Sequence, residues 1–320
     1  MKFQYRIIME AGLPAARLLK KAYDKLKASD AMAAFRLLEE ALDIDFENEE
    51  IKYALKCVSW WLDQDRRFAG IEDPYEKGGF IISQLKPYHV FLEQFDNVFE
   101  QCQYAVRCYV YSTALVFFEG LLGSQANQHD PGLLFLVGRC YKGLGNYDEA
   151  LKYLDQTVRF KREDPQTLAE IADINALLAE TKAAKTLFRE AFFLDPLKID
   201  IWSLESELIV RLRDNVAALG YYEDEVNEWM PVYGYLWGVF SVKRELKQVE
   251  VGRLKQSIFS LEAEREANPE KRDALKPRLL NRYFWLIDHY ENSREEPSVI
   301  EETLLKIKVA DPDIYQRYTT

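Results

Sequence analysis

Apolar positions along this chain recur at three- and four-residue intervals, the spacing of one helix face. The clearest run begins after Pro131, where Leu134, Val137, Gly138 and Tyr141 fall at i, i+3, i+4 and i+7. A turn signal, Gly143–Leu144–Gly145–Asn146, interrupts the stripe, which resumes at Ala150 and Leu154. The same layout returns twice at a spacing of 34 residues: Leu134, Leu168 and Trp202; Val137, Ile171 and Glu205; Leu154, Phe188 and Tyr222. Small residues keep the same phase, Gly138 with Ala172 and Ser206, then Ala150 with Ala184 and Ala218. A period of this length marks a stacked repeat architecture. Each copy predicts a helix, a tight turn and a second helix, with the small residues where the two backbones cross. A larger side chain there would cost overpacking strain.

The remainder of the chain follows the same logic less regularly. Residues 13–46 predict one more helix pair, with Leu18, Ala22 and Lys25 on the first helix and Ala34, Leu38 and Ala41 on the second, split at Ala28–Asp30. Residues 51–68 predict a helix with Ala54, Leu55, Val58, Trp61 and Leu62 on one face. Gly70, Pro74, Gly78 and Gly79 predict a loop over 70–79, which makes 70–125 an irregular part of the N-terminal region 1–130. Two aromatic-rich helices are expected between Phe80 and Leu122, and 123–131 is read as the turn into the repeats. Residues 131–232 form the three in-phase copies and 233–320 a degenerate C-terminal set. In that set the charged stretch 263–276 reads as an exposed turn or helix end. Phe284, Ile287, Ile300, Leu304 and Ile307 read as a last unit, and 312–320 as a capping turn or frayed tail.

This layout resembles the tetratricopeptide repeat. The second copy carries the pattern best, in Leu168, Ile171, Ala172, Ala184, Phe188, Ala191 and Pro196. The first keeps Gly138, Tyr141, Gly145, Tyr147, Ala150 and Leu154, with Thr157 where the family has Ala. The third keeps Trp202, Ala218 and Tyr222 but sets Glu205 and Glu225 at positions usually apolar or small. The resemblance implies an all-α fold, a right-handed superhelical α-solenoid of stacked antiparallel helix pairs, about six to eight in number. It also implies a concave groove lined by first helices, whose contact positions here are Phe135, Arg139 and Lys142; Ala169, Asp173 and Leu177; Ser203, Glu207 and Arg211; and Trp237 and Arg244. A mixed surface with an aromatic anchor suits a peptide or partner helix. Clamping of a terminal carboxylate, the family's best-known mode, is not expected, because Asp173 and Glu207 occupy that zone.

Composition narrows the function classes. A net charge of −11, from 42 Lys+Arg against 53 Asp+Glu, argues against wholesale binding of a phosphate backbone. Aromatics at 13% are ample for a core. Neither a signal-peptide pattern nor an apolar run long enough for a membrane span is read from the sequence. Cys57, Cys102, Cys108 and Cys140 lack metal-ligand spacing and read as buried free thiols of a cytoplasmic protein.

No phosphate loop, nucleophile elbow or zinc motif is present. His89, His129 and His289 fall in three separate units, and Asp130, beside His129, reads as a helix N-cap. Asp43, Asp45 and Glu47 imitate a calcium loop, but Asn48 stands where Gly is needed and Ala54 where the bidentate ligand belongs. The expectation is a protein with no catalytic residues, metal or cofactor, holding a protein or peptide partner in its groove as a scaffold or adaptor. The alternative is a regulatory or substrate-recruiting subunit of an enzyme complex; a third reading places an enzyme site within 70–125. Monomer and homodimer both remain open, since terminal repeats need a polar cap.

Overall fold

The structure, a computed structural model, describes the backbone of residues 2–242 and 245–320 and the side chains from residue 14 onward. Every regular element among the described residues is helical. The chain divides into two compact units, Met1–Phe160 and Lys161–Thr320, each with its own apolar core.

The first unit contains α1 (Lys2–Lys27), α2 (Ala31–Ile44), α3 (Glu49–Phe68), α4 (Pro74–Ser83), α5 (Leu85–Leu92), α6 (Glu100–Leu122), α7 (Pro131–Gly143) and α8 (Tyr147–Phe160). Helices α1 and α2 form the expected pair, with Ala22, Ala34, Leu38 and Ala41 wholly buried between them and Asp30 capping α2 through Ala33 N–H. Helices α7 and α8 fold back on each other at Gly138, where an added Cβ would stand 2.8 Å from Leu154 Cγ. Asp130 caps α7 by accepting from Leu133 N–H at 2.8 Å, as its position predicts.

Residues 70–79 are where the sequence reading misses. They hold most of a helix, α4, rather than a ten-residue loop. Asp73 caps it and Pro74 occupies its first turn, where a missing N–H costs nothing. Gly78 serves packing: a Cβ there would sit 2.5 Å from the Phe118 ring, so the glycine lets α4 lie close on α6. Helix α6 is also long and apolar enough to cross a membrane, by length and composition, which the sequence reading overlooked. In this unit its buried side chains, Ala105, Val106, Tyr109, Val110, Ala114 and Phe118 among them, contribute to the core, and it packs against α1, α4 and α7. Each such large side chain fully buried is worth about 1.5–3 kcal/mol.

The second unit contains α9 (Pro165–Leu177), α10 (Thr181–Leu194), α11 (Glu207–Ala217), α12 (Asp224–Leu236), α13 (Gln248–Ala267), α14 (Arg272–Ser293), α15 (Pro297–Ala310) and α16 (Pro312–Thr319), with 3₁₀ turns at Pro196–Lys198 and Pro269–Lys271. The α9–α10 pair reproduces α7–α8 element for element at the 34-residue spacing: Pro131 and Pro165 open the first helices, Tyr147 and Thr181 the second. The third copy does not follow. Trp202, Glu205 and Ser206, expected within a first helix, lie in a connection; α11 starts only at Glu207, and Ala218 and Tyr222 fall in the exposed turn before α12.

Side-chain hydrogen bonds explain the shift. Asn227 donates to the carbonyls of Pro196 (3.0 Å) and Ile199 (2.7 Å), and Asp173 accepts from the N–H groups of Glu205 and Ser206, both at 2.8 Å. Ser203 Oγ bonds Glu170 at 2.8 Å and the Asp200 carbonyl at 2.7 Å. These bonds satisfy the carbonyls of Pro196, Ile199 and Asp200 and the N–H groups of Glu205 and Ser206, and so hold the connection outside a regular α-helix.

The C-terminal residues also depart from expectation. Residues 312–319 form α16 rather than a frayed tail, and Tyr318 stacks on Tyr235 (5.6 Å) and Phe284 (4.9 Å). Beside this trio lies a buried ion pair, Arg189 with Asp288. Asp288 also accepts from Tyr235 Oη at 2.9 Å, Arg189 donates to the Val242 carbonyl at 2.9 Å, and the guanidinium lies 4.4 Å from the Trp285 ring. Burial drives the Tyr235 hydroxyl pKa up, and the neighbouring Asp288 carboxylate adds to it.

Candidate functional site

In the second unit, α9, α10 and α11 and the segment after α12 enclose an open cleft of about 480 Å³. Local sequence shapes each wall. Helix α9 ends beside Ala176, and Ala179, at φ 63, turns the chain into α10, which brings Thr181 to the cleft. Helix α12 ends at Trp237 and is closed by Gly238 in the left-handed conformation, φ 72. Phe240 N–H then bonds the Gly234 carbonyl at 2.8 Å, and a Cβ on Gly234 would collide with the Phe240 ring at 2.5 Å. Lys185 Nζ anchors this turn through the Gly238 carbonyl at 2.9 Å. The result holds the Trp237 indole against Tyr233, 4.9 Å between centroids, with part of its face open to the cleft.

The opposite wall is α11. Glu207 and Arg211, one turn apart, form an exposed ion pair on the rim. Leu208 and Leu212 with Val239 and Trp237 make the apolar lining, and Thr181, Ser206 and Asn215 supply neutral polar groups. Ser206 is the unusual member. It stands at the N-cap of α11 but makes no capping bond, and its buried hydroxyl has no hydrogen-bond partner among the described residues. An unmet buried hydroxyl costs about 1–3 kcal/mol. The first turn of a helix also leaves N–H groups without intrahelical carbonyls. Here Ser206 N–H is taken by Asp173 and the N–H groups of Ile209 and Val210 by the Ser206 carbonyl, so what the cleft presents is an apolar wall with an aromatic anchor beside Thr181 and Asn215.

The positions expected to contact a ligand are scattered by this fold. Glu207, Arg211 and Trp237 do line the cleft, and Leu177, half-buried, follows Ala176 at its edge. Trp237 reaches it from the C-terminus of α12, not from a first helix of a fourth copy. Asp173 is not a groove side chain: it is wholly buried under the Glu205 and Ser206 amides, which remove its charge from the surface. Ala169 is likewise buried. Phe135, Arg139 and Lys142 belong to α7 in the first unit, where Phe135 and Arg139 are half-buried and Lys142 only 2% exposed, so its ammonium is not presented to solvent as expected. Arg244 lies outside the described residues.

Sequence reasoning missed Ser206, read as a small packing position, and also Thr181, Asn215 and Leu212. Their meeting depends on the late start of α11, for which the apolar pattern carries no signal. No protein-family model matches the chain, and no curated protein matches its sequence.

Proposed function

We propose that this chain is a non-enzymatic scaffold or adaptor of tetratricopeptide-like helix pairs that holds a peptide or helix of a partner protein in the cleft of its second unit. The observation that supports this most is the combination in one open cleft of a half-exposed Trp237 and an apolar wall of Leu208, Leu212 and Val239. Aromatic anchors beside water-excluded apolar contacts carry most of the energy in peptide recognition. The balanced Glu207–Arg211 pair leaves the rim without a dominant charge, which favours an uncharged segment with a bulky apolar side chain. The tetratricopeptide reading rests on the two helix pairs that share the 34-residue layout. A role as recruiting subunit of an enzyme complex uses the same cleft and differs only in the partner.

The test is selection of peptides from a displayed random library against the full chain, followed by affinity measurement by fluorescence polarisation. Trp237→Ala is expected to weaken selected peptides by about 30-fold or more, the loss typical of a hot-spot aromatic of about 2 kcal/mol. Arg211→Glu is expected to weaken them less. Equal affinity for wild type and Trp237→Ala, with unchanged helical circular dichroism, sinks the proposal.

A further inference from the structure

Helix α13 packs on α14 through one face, where Leu254 and Ile258 are buried and Val251 and Leu261 half-buried. The opposite face is open. Val249, Gly252, Gln256, Phe259 and Ala263 run along it, all exposed. Phe259 is 73% exposed and Val249 69%, and a Cβ on Gly252 would meet nothing within 4 Å. The intervals between these five alternate three and four residues, which is the seam spacing of paired helices. Helix α13 thus carries a core side and, across the helix from it, a second seam.

The charges along α13 are segregated. Arg253 and Lys255 lie in its N-terminal half, and Glu262, Glu264 and Glu266 in its C-terminal half. Glu250 is taken up in capping, by accepting from Lys247 N–H at 2.7 Å, and Arg265 lies half-buried on the packed face. The helix dipole favours the reverse order, because a helix C-terminus already carries partial negative charge. Helix stability therefore does not account for the arrangement. Lys255 and Glu262 stand seven residues apart, two turns along one flank of the open seam. Lys255 Nζ lies 5.3 Å from the centre of the Tyr290 ring. Glu262 accepts from Tyr283 Oη at 2.7 Å and from Lys306 Nζ at 3.1 Å, both on Oε1, which holds the carboxylate in place.

We propose that this face binds a second copy of the chain, α13 against α13, antiparallel about a two-fold axis. In such a contact residue i of one copy meets residue j of the other, and j meets i. An axis beside Ser257 and Ile258 sets Gln256 opposite Phe259 of the second copy and Gly252 opposite its Ala263. The small residues let the helices approach, and the two Phe259 rings cover the middle of the seam. Lys255 then faces Glu262 of the second copy, and the axis repeats that pair. Parallel helices have no such match, since Lys255 would face Ser260 and Glu262 would face Ala267. The charges choose the orientation.

The same charges argue against other occupants. Three carboxylates on one helix do not suit an anionic lipid surface or a phosphate backbone. The seam is short and includes Gly252 and Gln256, so the contact belongs at the small end of specific interfaces. A reversible dimer follows, with a dissociation constant on the order of 100 µM. This inference is independent of the peptide cleft, whose lining includes no residue of α13.

The test is sedimentation equilibrium of the full chain from about 5 to about 500 µM, a range that brackets that constant. The weight-average mass is expected to climb from 37.5 kDa towards twice that value. Phe259→Ser is expected to weaken the association by about 10-fold or more. Phe46→Ser removes a similarly exposed ring from the first unit, at 71%, and is expected to change nothing. Lys255→Glu and Glu262→Lys are each expected to weaken the dimer, and mixing the two to restore it, because each copy then supplies the charge the other lacks. Circular dichroism checks that Glu262→Lys, which loses its bonds to Tyr283 and Lys306, keeps its helices; Phe259→Ser carries the test if it does not. A mass of 37.5 kDa throughout overturns the proposal, as does a dimer that Phe259→Ser leaves intact or that Phe46→Ser abolishes. A mixture of the two folded charge variants that associates no better than either alone overturns the antiparallel pairing.

Discussion

The α7–α8 and α9–α10 pairs, each in its own unit, and the stretch after α10 carry the same apolar spacing, yet only the two pairs fold alike. The difference lies in the signals at helix ends. Asp130 and Asp164 cap the first helices of the two pairs, through Leu133 N–H (2.8 Å) and Thr167 N–H (2.9 Å); the equivalent position in the third copy is Lys198. Pro131 and Pro165 open those helices, against Ile199 in the third copy. Gly145 (φ 77) and Ala179 (φ 63) make the left-handed turns between paired helices, whereas the equivalent Arg213 lies inside α11. Apolar spacing thus specifies a helix face, but caps and left-handed turns decide which residues the helix includes. Where these are missing, tertiary hydrogen bonds choose the boundaries instead.

The largest test removes the buried ion pair that joins α10 to α14. Asp288→Ala leaves Arg189 buried without its carboxylate and is expected to cost about 3–5 kcal/mol, read as a lower urea midpoint by tryptophan fluorescence. Arg189→Met/Asp288→Leu is expected to cost less than the single change, because no uncompensated charge stays behind. A loss below about 1 kcal/mol in Asp288→Ala would show that the pair does not hold this region.

Next comes the crossing of α7 on α8. Gly138→Ala must displace Leu154 and is expected to cost about 1–3 kcal/mol. The equivalent residue of the second pair is already Ala172, wholly buried, so Ala172→Gly is expected to cost no more than about 1 kcal/mol through helix propensity. Equal losses at both sites would mean that the two crossings are equally close after all.

Asp173→Ala probes the shifted boundary itself. Unmet amides at Glu205 and Ser206 are expected to cost about 1–3 kcal/mol and to speed hydrogen exchange at 205–210 more than in α9. Protection unchanged over those residues would remove Asp173 from the account of why α11 starts late. The smallest effects belong to the paired turns. Gly145→Ala is expected to destabilise by about 1 kcal/mol and Ala179→Gly to stabilise by up to about 1 kcal/mol, since both sites have positive φ. Thermal melts that shift in the same direction for both variants would contradict the equivalence of the two turns.

Legibility followed the range of the interactions. Helix pairs α1–α2, α7–α8 and α9–α10 were readable because period, turn and cap lie within a few residues of one another. Helix α4 was not, because glycine and proline have two meanings: Pro74 opens a helix and Gly78 admits the Phe118 ring, and only the position of α6 distinguishes that from a loop. Of the candidate site, Glu207, Arg211 and Trp237 were named from the repeat pattern and do meet at one cleft, though Trp237 arrives there from another helix end. Asp173 and Lys142 were assigned to the groove by the first-helix contact positions that the resemblance implies, yet both are buried. Asp173 shows how a buried charge is tolerated when backbone N–H groups face it.

The sequence alone determined that the protein is helical, where two of its repeated pairs turn, and which faces of those helices are buried. These depend on periodicity and on end signals carried by neighbouring residues. Tertiary structure decided where α11 begins, that α16 packs Tyr318 into an aromatic trio, and that Ser206 is left with an unused hydroxyl in a cleft. Each of these rests on partners tens of residues away in the chain, and no local pattern specifies which distant donor or ring will be there.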